Sequence, residues 1–287
     1  MSEQEFRRLL HREGLSGRTI EAFRCLVYAV YAREQRSDLP WRLTRDPYRV
    51  MVSEIMLQQT QVSRVRTKYE EFLARFPNTA ALAGASLQEV LAVWQGLGYN
   101  RRGMAIKRAA EGIMERFGGA VPADPEKLRT LPGIGPYTAG AIAAFAYDRP
   151  EVFIETNIRA LFLHLLFPTR RGVADREILP LIAATLDRER PREWYYALMD
   201  YGALLKLETT NPGRRGAHYQ RQSPFKGSNR EVRSRILQAI LATGGATEEE
   251  LIAGAAGDEE RVRKNLADLA REGFIVGTAK GYIVTPG

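Results

Sequence analysis

The stretch LPGIGPYTAG, residues 131–140, places two glycines one residue apart, after a proline and before an apolar helical segment. In such a tight turn, backbone N–H groups point outward at the start of the helix, and the helix dipole favours an anion such as a phosphate. Gly133 and Gly135 are therefore predicted to bind a DNA backbone without reading its sequence. A G-x-G turn taken alone is more often a plain connection between helices, so the prediction depends on the surrounding sequence.

The sequence on both sides of this turn has the periodicity of helices. From about residue 17 to 205, apolar residues recur at helical spacing in segments separated by short Pro or Gly breaks. The segments predicted to be helical are 19–34, 48–76, 86–96, 102–117, 137–146, 157–166 and 193–205. This pattern predicts an all-α fold.

The composition changes after residue 205. Residues 206–228 combine Lys and Arg with turn-forming residues and are predicted to be a basic linker. Residues 229–287 hold three short amphipathic segments and then FIVGTAKGYIV (274–284), which is typical of a two-stranded hairpin. We predict a winged helix-turn-helix there, with a small three-helix cap as the alternative, after a main domain over 1–205.

Charge and cysteine content narrow the class of protein. The net charge of +8 and the pI near 9.7 suit a polyanionic partner, although many basic proteins bind no nucleic acid. A single cysteine excludes an intramolecular disulfide and any site built from several cysteines of this chain. The N-terminus is charged and no stretch approaches ~18 apolar residues, so we expect a cytoplasmic, nucleoid-associated protein with no membrane partner.

Several further segments occur in the order found in helix-hairpin-helix (HhH-GPD) DNA glycosylases. They are LPWR (39–42), SEIMLQQTQV (53–62), RFP (75–77), GLGY (96–99) and LMDYGA (198–203). Together with the hairpin, the sequence most closely resembles adenine-specific mismatch DNA glycosylases, which remove adenine mispaired with 8-oxoguanine. The resemblance covers about residues 20–205. It implies a two-lobed all-α fold with the DNA site between the lobes and, as partner, double-stranded DNA with a mismatched or damaged base; we expect a monomer.

Two carboxyl groups in different protonation states suit the hydrolysis of a glycosidic bond, since one protonates the leaving base and the other stabilises the sugar cation. Glu54 lies in the apolar helical stretch MVSEIML, where burial would raise its pKa toward that of a general acid. The resemblance makes it the residue that protonates the adenine ring. The alternative is a glutamate on the solvated side of an amphipathic helix.

Glu155 in VFIETNIRAL directly precedes a predicted helix, where an acid is favoured simply as a helix-start residue. The resemblance places it at the position of the aspartate that stabilises the oxocarbenium-like sugar and helps deliver water. Here the side chain is one methylene longer. Asn157 matches an asparagine that supports this carboxylate, so both residues are predicted to be catalytic.

Tyr137 follows the hairpin at a position where lyase-competent members carry a lysine that forms a Schiff base with the sugar. With tyrosine there, we expect hydrolysis without efficient strand cleavage. Tyrosine at this position is similar to thymine-mismatch glycosylases, and packing between hairpin and core is the simpler alternative. Tyr137 and Glu155 thus both leave the identity of the excised base open.

The resemblance also assigns residues to base flipping. Extrusion of a base leaves a gap in the stack that must be filled. Gln59 and Tyr99 are predicted to enter the duplex there, and Trp41, Arg42 and Gln58 are predicted to line the base pocket. Without the resemblance, Trp41 would be interpreted as a core residue and Gln59 as a surface residue.

The sequence departs from the adenine-specific family after LMDYGALL. Many members carry four cysteines there for a [4Fe-4S] cluster, whereas this chain has none. We therefore predict no iron–sulfur cofactor, although a structural monovalent cation at the hairpin is compatible with the sequence. Arg214 and Arg215 are predicted to contact the DNA backbone in place of the cluster loop. The C-terminal segment is also too short to match the usual domain that inspects 8-oxoguanine.

Three other polar residues are interpreted as structural. His164 in ALFLHLLF is predicted to be a satisfied core histidine, and Asp200 to accept hydrogen bonds from backbone or arginine groups. Cys25 is interpreted as buried filler.

These observations predict a monofunctional DNA glycosylase of base excision repair that removes adenine opposite 8-oxoguanine or guanine. One alternative is a glycosylase for mismatched thymine or uracil, or for another damaged base. The other is a DNA-binding protein that has kept the fold and lost catalysis.

Overall fold

The computed structural model describes residues 1–255 and 257–286, so Ala256 and Gly287 of the predicted C-terminal domain lie outside the described residues. In chain order the helices are α1 (Glu3–Glu13), α2 (Gly17–Glu34), α3 (Pro47–Leu57), α4 (Val62–Arg75), α5 (Thr79–Gly84), α6 (Leu87–Trp94), α7 (Asn100–Phe117), α8 (Pro125–Arg129), α9 (Pro136–Tyr147), α10 (Thr156–Leu165), α11 (Asp175–Thr185), α12 (Pro191–Glu208), α13 (Asn229–Thr243), α14 (Glu248–Gly254) and α15 (Glu259–Arg271). Two 3₁₀ helices (Pro40–Arg42 and Pro212–Arg215) and two strands, β1 (Ile275–Thr278) and β2 (Gly281–Val284), complete the described elements. The prediction of an all-α fold is confirmed.

The helix prediction was wrong within residues 48–76 and did not include several helices, among them α1 and α11. The segment 48–76 is divided into α3 and α4, because the chain turns between them and Gln59 adopts a left-handed conformation with φ of 55°. The N-terminal segment, for which no helix was predicted, forms α1. There a capping box between Ser2 and Glu5 starts the helix, and Phe6 is buried beneath an otherwise charged surface.

Contacts group the chain into two compact units, each discontinuous in sequence. Unit 1 comprises Met1–Val50, Ala123–Arg129 and Ile134–Arg221, and unit 2 comprises Met51–Pro122, Thr130–Gly133 and Gln222–Gly287. The chain therefore passes from one unit to the other within α3 and within the hairpin. The predicted boundary at residue 205 falls inside α12, and the C-terminal segment belongs to the same unit as α4 to α7.

The part of unit 1 that carries site residues is built on α10 and α12. Gly202 of α12 is the point of closest approach, since a Cβ atom placed there would lie 2.0 Å from the backbone oxygen of Asn157. A side chain at this position would force the two helices apart. The absence of a side chain at Gly202 thus fixes the position of the first turn of α10.

Unit 2 contains the predicted C-terminal structure. Helices α13 to α15 are followed by the antiparallel pair β1 and β2, as the sequence predicted. Their apolar residues share one buried cluster with Leu87, Leu91 and Met104 of α6 and α7. Glu272 adds ion pairs to Arg101 and Arg233. The C-terminal segment is therefore packed onto α6 and α7 by a continuous apolar core.

Within residues 1–255 and 257–286, none of the helices combines the length and the apolar character that a membrane crossing requires.

Candidate active site

Glu54 is buried near the middle of α3. It is 3% exposed, and Val52, Ile55 and Met56 beside it on the helix are fully buried. A carboxyl group in such a position is costly unless it is neutral, paired or functional. The prediction that Glu54 is buried is confirmed, and the alternative of a solvated position is wrong.

Arg102 of α7 is a site residue that the sequence analysis missed. Its guanidinium is buried, and its terminal nitrogens donate to oxygen atoms at the end of α3 and in the two loops that follow α3 and α6. From Nη1 the acceptors are the carbonyl oxygens of Ile55 (3.0 Å), Met56 (2.8 Å) and Gln58, and from Nη2 they are Thr60 Oγ1 (2.8 Å) and the carbonyl oxygens of Leu97 (3.3 Å) and Gly98 (3.1 Å). Burial lowers the pKa of Arg102 to about 10, so the side chain remains a cation at neutral pH.

Gln59 and Tyr99, the predicted wedge residues, both have left-handed backbones, with φ of 55° and 49°. In the described part of the chain, Asp148 is the one other non-glycine residue with positive φ. Such conformations are strained and persist where the surrounding structure holds them. Arg102 supplies that support, because it donates to the carbonyl of Gln58 and to that of Gly98, the residues that immediately precede the two strained positions.

Tyr99 also contacts the segment that leads into α13. The hydroxyl group of Tyr99 accepts hydrogen bonds from Gln222 Nε2 and from Arg230 Nη1, the latter at 3.3 Å. The guanidinium groups of Arg230 and Arg102 lie 5.8 and 5.3 Å from the centre of its ring. The predicted wedge is thus surrounded by cations, a feature that the sequence alone did not indicate.

The two hairpin glycines, Gly133 and Gly135, occupy their positions for different structural reasons. Gly133 has a φ of 78°, and a Cβ atom there would lie 2.8 Å from the Cβ of Ala105 on α7. Gly135 has an ordinary φ of −85° as N-cap of α9, and a Cβ atom there would meet nothing within 4 Å. Gly133 is therefore required by the turn, whereas the space at Gly135 leaves the start of α9 accessible. Gln58, predicted to line the base pocket, donates from Nε2 to the carbonyl of Gly133 at 3.4 Å.

Asp200 of α12 is buried and bound by two arginines. Arg42 donates from Nη1 and Nη2 to its two carboxylate oxygens at 2.6 and 2.7 Å, and Arg36 donates from Nε at 2.6 Å. Burial by itself would raise the pKa of Asp200, but the hydrogen bonds and charges of Arg42 and Arg36 outweigh it and hold the pKa below its usual value. The interpretation of Asp200 as a structural acceptor is confirmed.

The same ion pair gives Arg42 a structural role. Both of its terminal nitrogens are bound to Asp200, and its Cζ lies 4.3 Å from the ring centre of Tyr196. The place of Arg42 in a base pocket stays a prediction. Trp41, beside it in the 3₁₀ turn, is 4% exposed. That burial agrees with the simpler interpretation of Trp41 as a core residue, and its place in a base pocket stays a prediction.

Tyr137 lies in the first turn of α9 and is half-buried. Its ring packs edge-on against Phe153, with centres 5.8 Å apart, and Phe153 in turn stacks on Tyr195 at 3.8 Å. Tyr137 therefore packs against the protein interior through Phe153. A phenol also lacks the amine that a Schiff base requires.

Glu155 is the N-cap of α10. Its Oε1 accepts hydrogen bonds from the backbone N–H groups of Asn157 at 2.7 Å and Ile158 at 2.8 Å, and Oε2 accepts one from Thr156 Oγ1 at 3.0 Å. These contacts confirm that Glu155 acts as a helix-start acid. They also hold the side chain at the N-terminus of α10, where the helix dipole favours an acidic residue.

Asn157, predicted to support Glu155, is itself bound by a lysine that the sequence analysis did not single out. Lys206 Nζ donates to Asn157 Oδ1 at 2.8 Å. Burial lowers the pKa of Lys206, and the nearby Glu155 carboxylate offsets part of that effect. A lysine on α12 is difficult to detect in sequence because it lies 49 residues away from its partner.

The two arginines predicted to bind DNA differ. Arg214 is exposed in the 3₁₀ helix Pro212–Arg215. Arg215 instead donates to the carbonyl oxygens of Leu163, at 2.7 Å, and Pro168, so it caps the end of α10. Residues 215–217 also pair with Val173 through backbone hydrogen bonds. Arg215 therefore has a structural role, and this part of the predicted linker is packed against unit 1.

Two remaining interpretations can be compared with the structure. Cys25 is exposed, so its interpretation as buried filler is wrong. His164 is satisfied, with Nε2 placed 2.7 Å from Glu3 Oε2 and 3.0 Å from Arg7 Nη2, but it is half-buried rather than in the core. Over the described residues, His, Cys, Asp and Glu side chains form no group of three that could hold a metal ion.

Comparison with known proteins gives a consistent result. Residues 52–183 match the model of the HhH-GPD superfamily base excision DNA repair proteins. An adenine DNA glycosylase of Mycobacterium tuberculosis is 32% identical over 91% of this chain and 92% of that protein. The adenine DNA glycosylase of Rattus norvegicus is 38% identical over 65% of this chain, which spans only 38% of that longer protein.

One relative is named for a different activity. A thymine/uracil-DNA glycosylase of Pyrobaculum aerophilum is 34% identical over 62% of this chain and 80% of that protein. The solved structure of a thermostable thymine-DNA glycosylase has a TM-score of 0.57 and 23% identity, covering 64% of this chain and 86% of that one. This likeness shows the fold, and it agrees with the helical architecture described above.

Proposed function

The chain belongs to the HhH-GPD superfamily of base excision DNA repair proteins, and from that premise we propose that it is a monofunctional DNA glycosylase that removes adenine opposite 8-oxoguanine or guanine. The observation that carries the proposal is the burial of Glu54 on α3. In the proposal, the carboxyl group at that position is the proton donor to the departing base. The similarity to adenine DNA glycosylases supports adenine as that base.

The proposed reaction divides two tasks between two carboxyl groups. Glu54 donates a proton to a ring nitrogen of adenine, and the bond between adenine and C1′ of the sugar breaks. The ionised Glu155 stabilises the positive charge on the sugar, and a water molecule then adds to C1′ and gives up a proton to Glu155. The products are free adenine and an abasic site. Glu54 has then lost a proton and Glu155 has gained one, and proton exchange with solvent returns both residues to their starting states.

In this proposal the enzyme acts as a monomer, and its partner is double-stranded DNA with a mismatched base. Gln59 and Tyr99 fill the gap left by the flipped base, which agrees with their strained, Arg102-supported backbones. Gly133 and Gly135 bind the phosphate backbone, and exposed Arg214 adds positive charge.

No iron–sulfur cofactor forms part of the proposal. The chain has one cysteine, Cys25, which is exposed on α2, and Lys206 begins the segment where the cluster cysteines of relatives would occur. These residues do not fit a cluster with four cysteine ligands. A structural monovalent cation at the hairpin remains compatible with the proposal.

Mismatched thymine or uracil is the second candidate substrate. Tyr137 favours it, since tyrosine at this position is similar to thymine-mismatch glycosylases, and a relative of Pyrobaculum aerophilum is a thymine/uracil-DNA glycosylase. Purified protein is incubated with labelled duplexes that contain A:8-oxoG, A:G, T:G or U:G, and abasic sites are then cleaved with hot alkali. Cleavage of T:G or U:G without A:8-oxoG would overturn the adenine assignment.

The same assay tests the other parts of the proposal. Tight binding with no cleavage of any duplex would favour a DNA-binding protein that has lost catalysis. Samples that are not heated in alkali should remain uncut, because Tyr137 supplies no amine for strand cleavage. Strand breaks without alkali would contradict the monofunctional assignment.

A further inference from the structure

We propose that Lys206 is a positioning residue for Glu155, which it serves by holding the first turn of α10 through Asn157. This inference rests on the proposed function, because it concerns the carboxylate that stabilises the sugar cation. It gives a role to a residue that lies on α12, outside the helix that carries Glu155 and Asn157.

The geometry joins α12 to a single residue of α10 at two points. Lys206 Nζ donates to Asn157 Oδ1 at 2.8 Å. Gly202, one turn earlier on α12, lies so close that a Cβ atom would be 2.0 Å from the backbone oxygen of Asn157. The backbone N–H of Asn157 in turn donates to Glu155 Oε1 at 2.7 Å. The position of the Glu155 carboxylate is therefore linked through Asn157 to α12.

The charges around Glu155 are not equivalent. Arg159 lies on the same helix, but its guanidinium is bound by Asp175 at the start of α11 at 2.6 and 2.7 Å, with His218 close to that carboxylate. In the described part of the chain, the hydrogen bond of the Lys206 ammonium goes instead to the neutral amide of Asn157. The charge of Lys206 is thus the one that is not neutralised by a paired carboxylate.

A half-buried ammonium with a neutral partner does not favour stability. Burial lowers the pKa of Lys206, which means that its charged form is held in the folded protein at a cost. Methionine has a similar length and would fill the same space without that cost. We therefore assign to Lys206 a use other than stability, namely to hold Asn157 and, through the backbone N–H of Asn157, the carboxylate of Glu155.

The test compares the maximal rate of single-turnover adenine excision from an A:8-oxoG duplex with the Kd for the same duplex. Lys206→Met should lower the maximal rate at least about tenfold, because the first turn of α10 loses its hydrogen bond from α12. Lys206→Arg, which keeps a charged donor of similar length, should restore most of that rate.

Two further measurements separate positioning from folding. Lys206→Met should have a thermal midpoint equal to or above that of the wild type and an unchanged Kd for the duplex. Lys107→Met is the matched control, since Lys107 is also a buried lysine but pairs with Glu111 on α7, and its excision rate should not change. An unchanged excision rate in Lys206→Met, or a rate loss matched by loss of folded protein, would overturn the inference. Absence of cleavage by the wild-type protein would instead overturn the proposed function.

Discussion

The stretch of α3 around Glu54 and the start of α10 around Glu155 surround a glutamate in different ways. Glu54, in unit 2, is 3% exposed, and Val52, Ile55 and Met56 on the same helix are fully buried. Glu155, in unit 1, is bound by two backbone N–H groups at the start of α10. Donors thus hold the carboxylate of Glu155 at a helix start, whereas Glu54 lies among buried apolar residues of its own helix.

The proposed reaction gives these two glutamates opposite tasks. It assigns the proton donor to Glu54 and the anion to Glu155, a division of roles that depends on surroundings rather than on residue type. The experiments below test this contrast, beginning with the largest expected effect.

Glu54→Gln should remove the proposed proton donor. Glutamine keeps the size of the side chain but cannot donate the proton, so adenine excision should fall by about 10²- to 10⁴-fold. The Kd for a duplex should be nearly unchanged, because the phosphate contacts are elsewhere. Single-turnover rates and binding titrations measure the two quantities, and retained turnover would refute the role of Glu54.

Asp200→Asn tests whether unit 1 depends on ionised carboxylates. Arg42 would lose its paired charge while buried, so the free energy of unfolding should fall by about 3 kcal/mol at neutral pH. Because the pKa of Asp200 is lowered in the folded state, its contribution is fully present above the unfolded value of about 3.9 and is lost as the pH falls through the folded value. The difference between wild type and variant should therefore shrink below about pH 4.

Denaturant unfolding at several pH values measures this effect. Asp268→Asn is the control, since its ion pair with Arg271 is at the surface and should change stability by less than about 1 kcal/mol. A pH-independent difference for Asp200→Asn would contradict the assignment of an ionised Asp200.

Arg102→Met removes the buried guanidinium that binds the end of α3 and the loops after α3 and α6. Removal of the guanidinium leaves several acceptors without a donor, so the free energy of unfolding should fall by about 2–3 kcal/mol. The turns at Gln59 and Tyr99 should also lose their support, which weakens binding to duplexes. Arg101→Met is the neighbouring control: Arg101 is mostly exposed and pairs with Glu272, and its loss should cost under about 1 kcal/mol. Equal losses of unfolding free energy in both variants would show that the buried Arg102 contributes no more to stability than the exposed Arg101.

Glu155→Asp and Glu155→Asn separate the cap from the charge. Both shorter residues are good N-caps, so both should keep stability within about 1 kcal/mol of the wild type. Aspartate keeps the anion and should retain excision to within about tenfold, whereas asparagine should lose considerably more. Equal rates for the two variants would mean that Glu155 serves only to start α10.

Arg214→Ala and Arg215→Ala should show the smallest effects. Arg214 is exposed, and its removal should weaken binding to all duplexes alike and reduce the salt slope by about 1. Arg215 caps α10, so its removal should lower stability by about 1 kcal/mol with little change in the salt slope. The opposite pattern in binding titrations at several salt concentrations would restore Arg215 as a DNA contact.

Local patterns predicted most of the helices and several site residues. The apolar period around Glu54 indicated its burial, and the capping pattern at Glu155 indicated a helix start, because both depend on residues within one or two turns. The division of 48–76 into α3 and α4 was missed, since no Pro or Gly marks the turn at Gln59. That turn exists because Arg102, 43 positions later, binds the carbonyl of the preceding residue.

The all-α class, the hairpin with its two glycines, the single cysteine and the two glutamates proposed as catalytic were all found from local sequence patterns. Tertiary structure decided how the other charged residues are used: Arg42 by Asp200, Arg215 at the end of α10, Arg102 beneath Gln59 and Tyr99, and Lys206 against Asn157. The physical reason is range. Helix periodicity and caps act between residues a few positions apart, whereas a buried charge must be compensated by groups brought close only when distant segments pack.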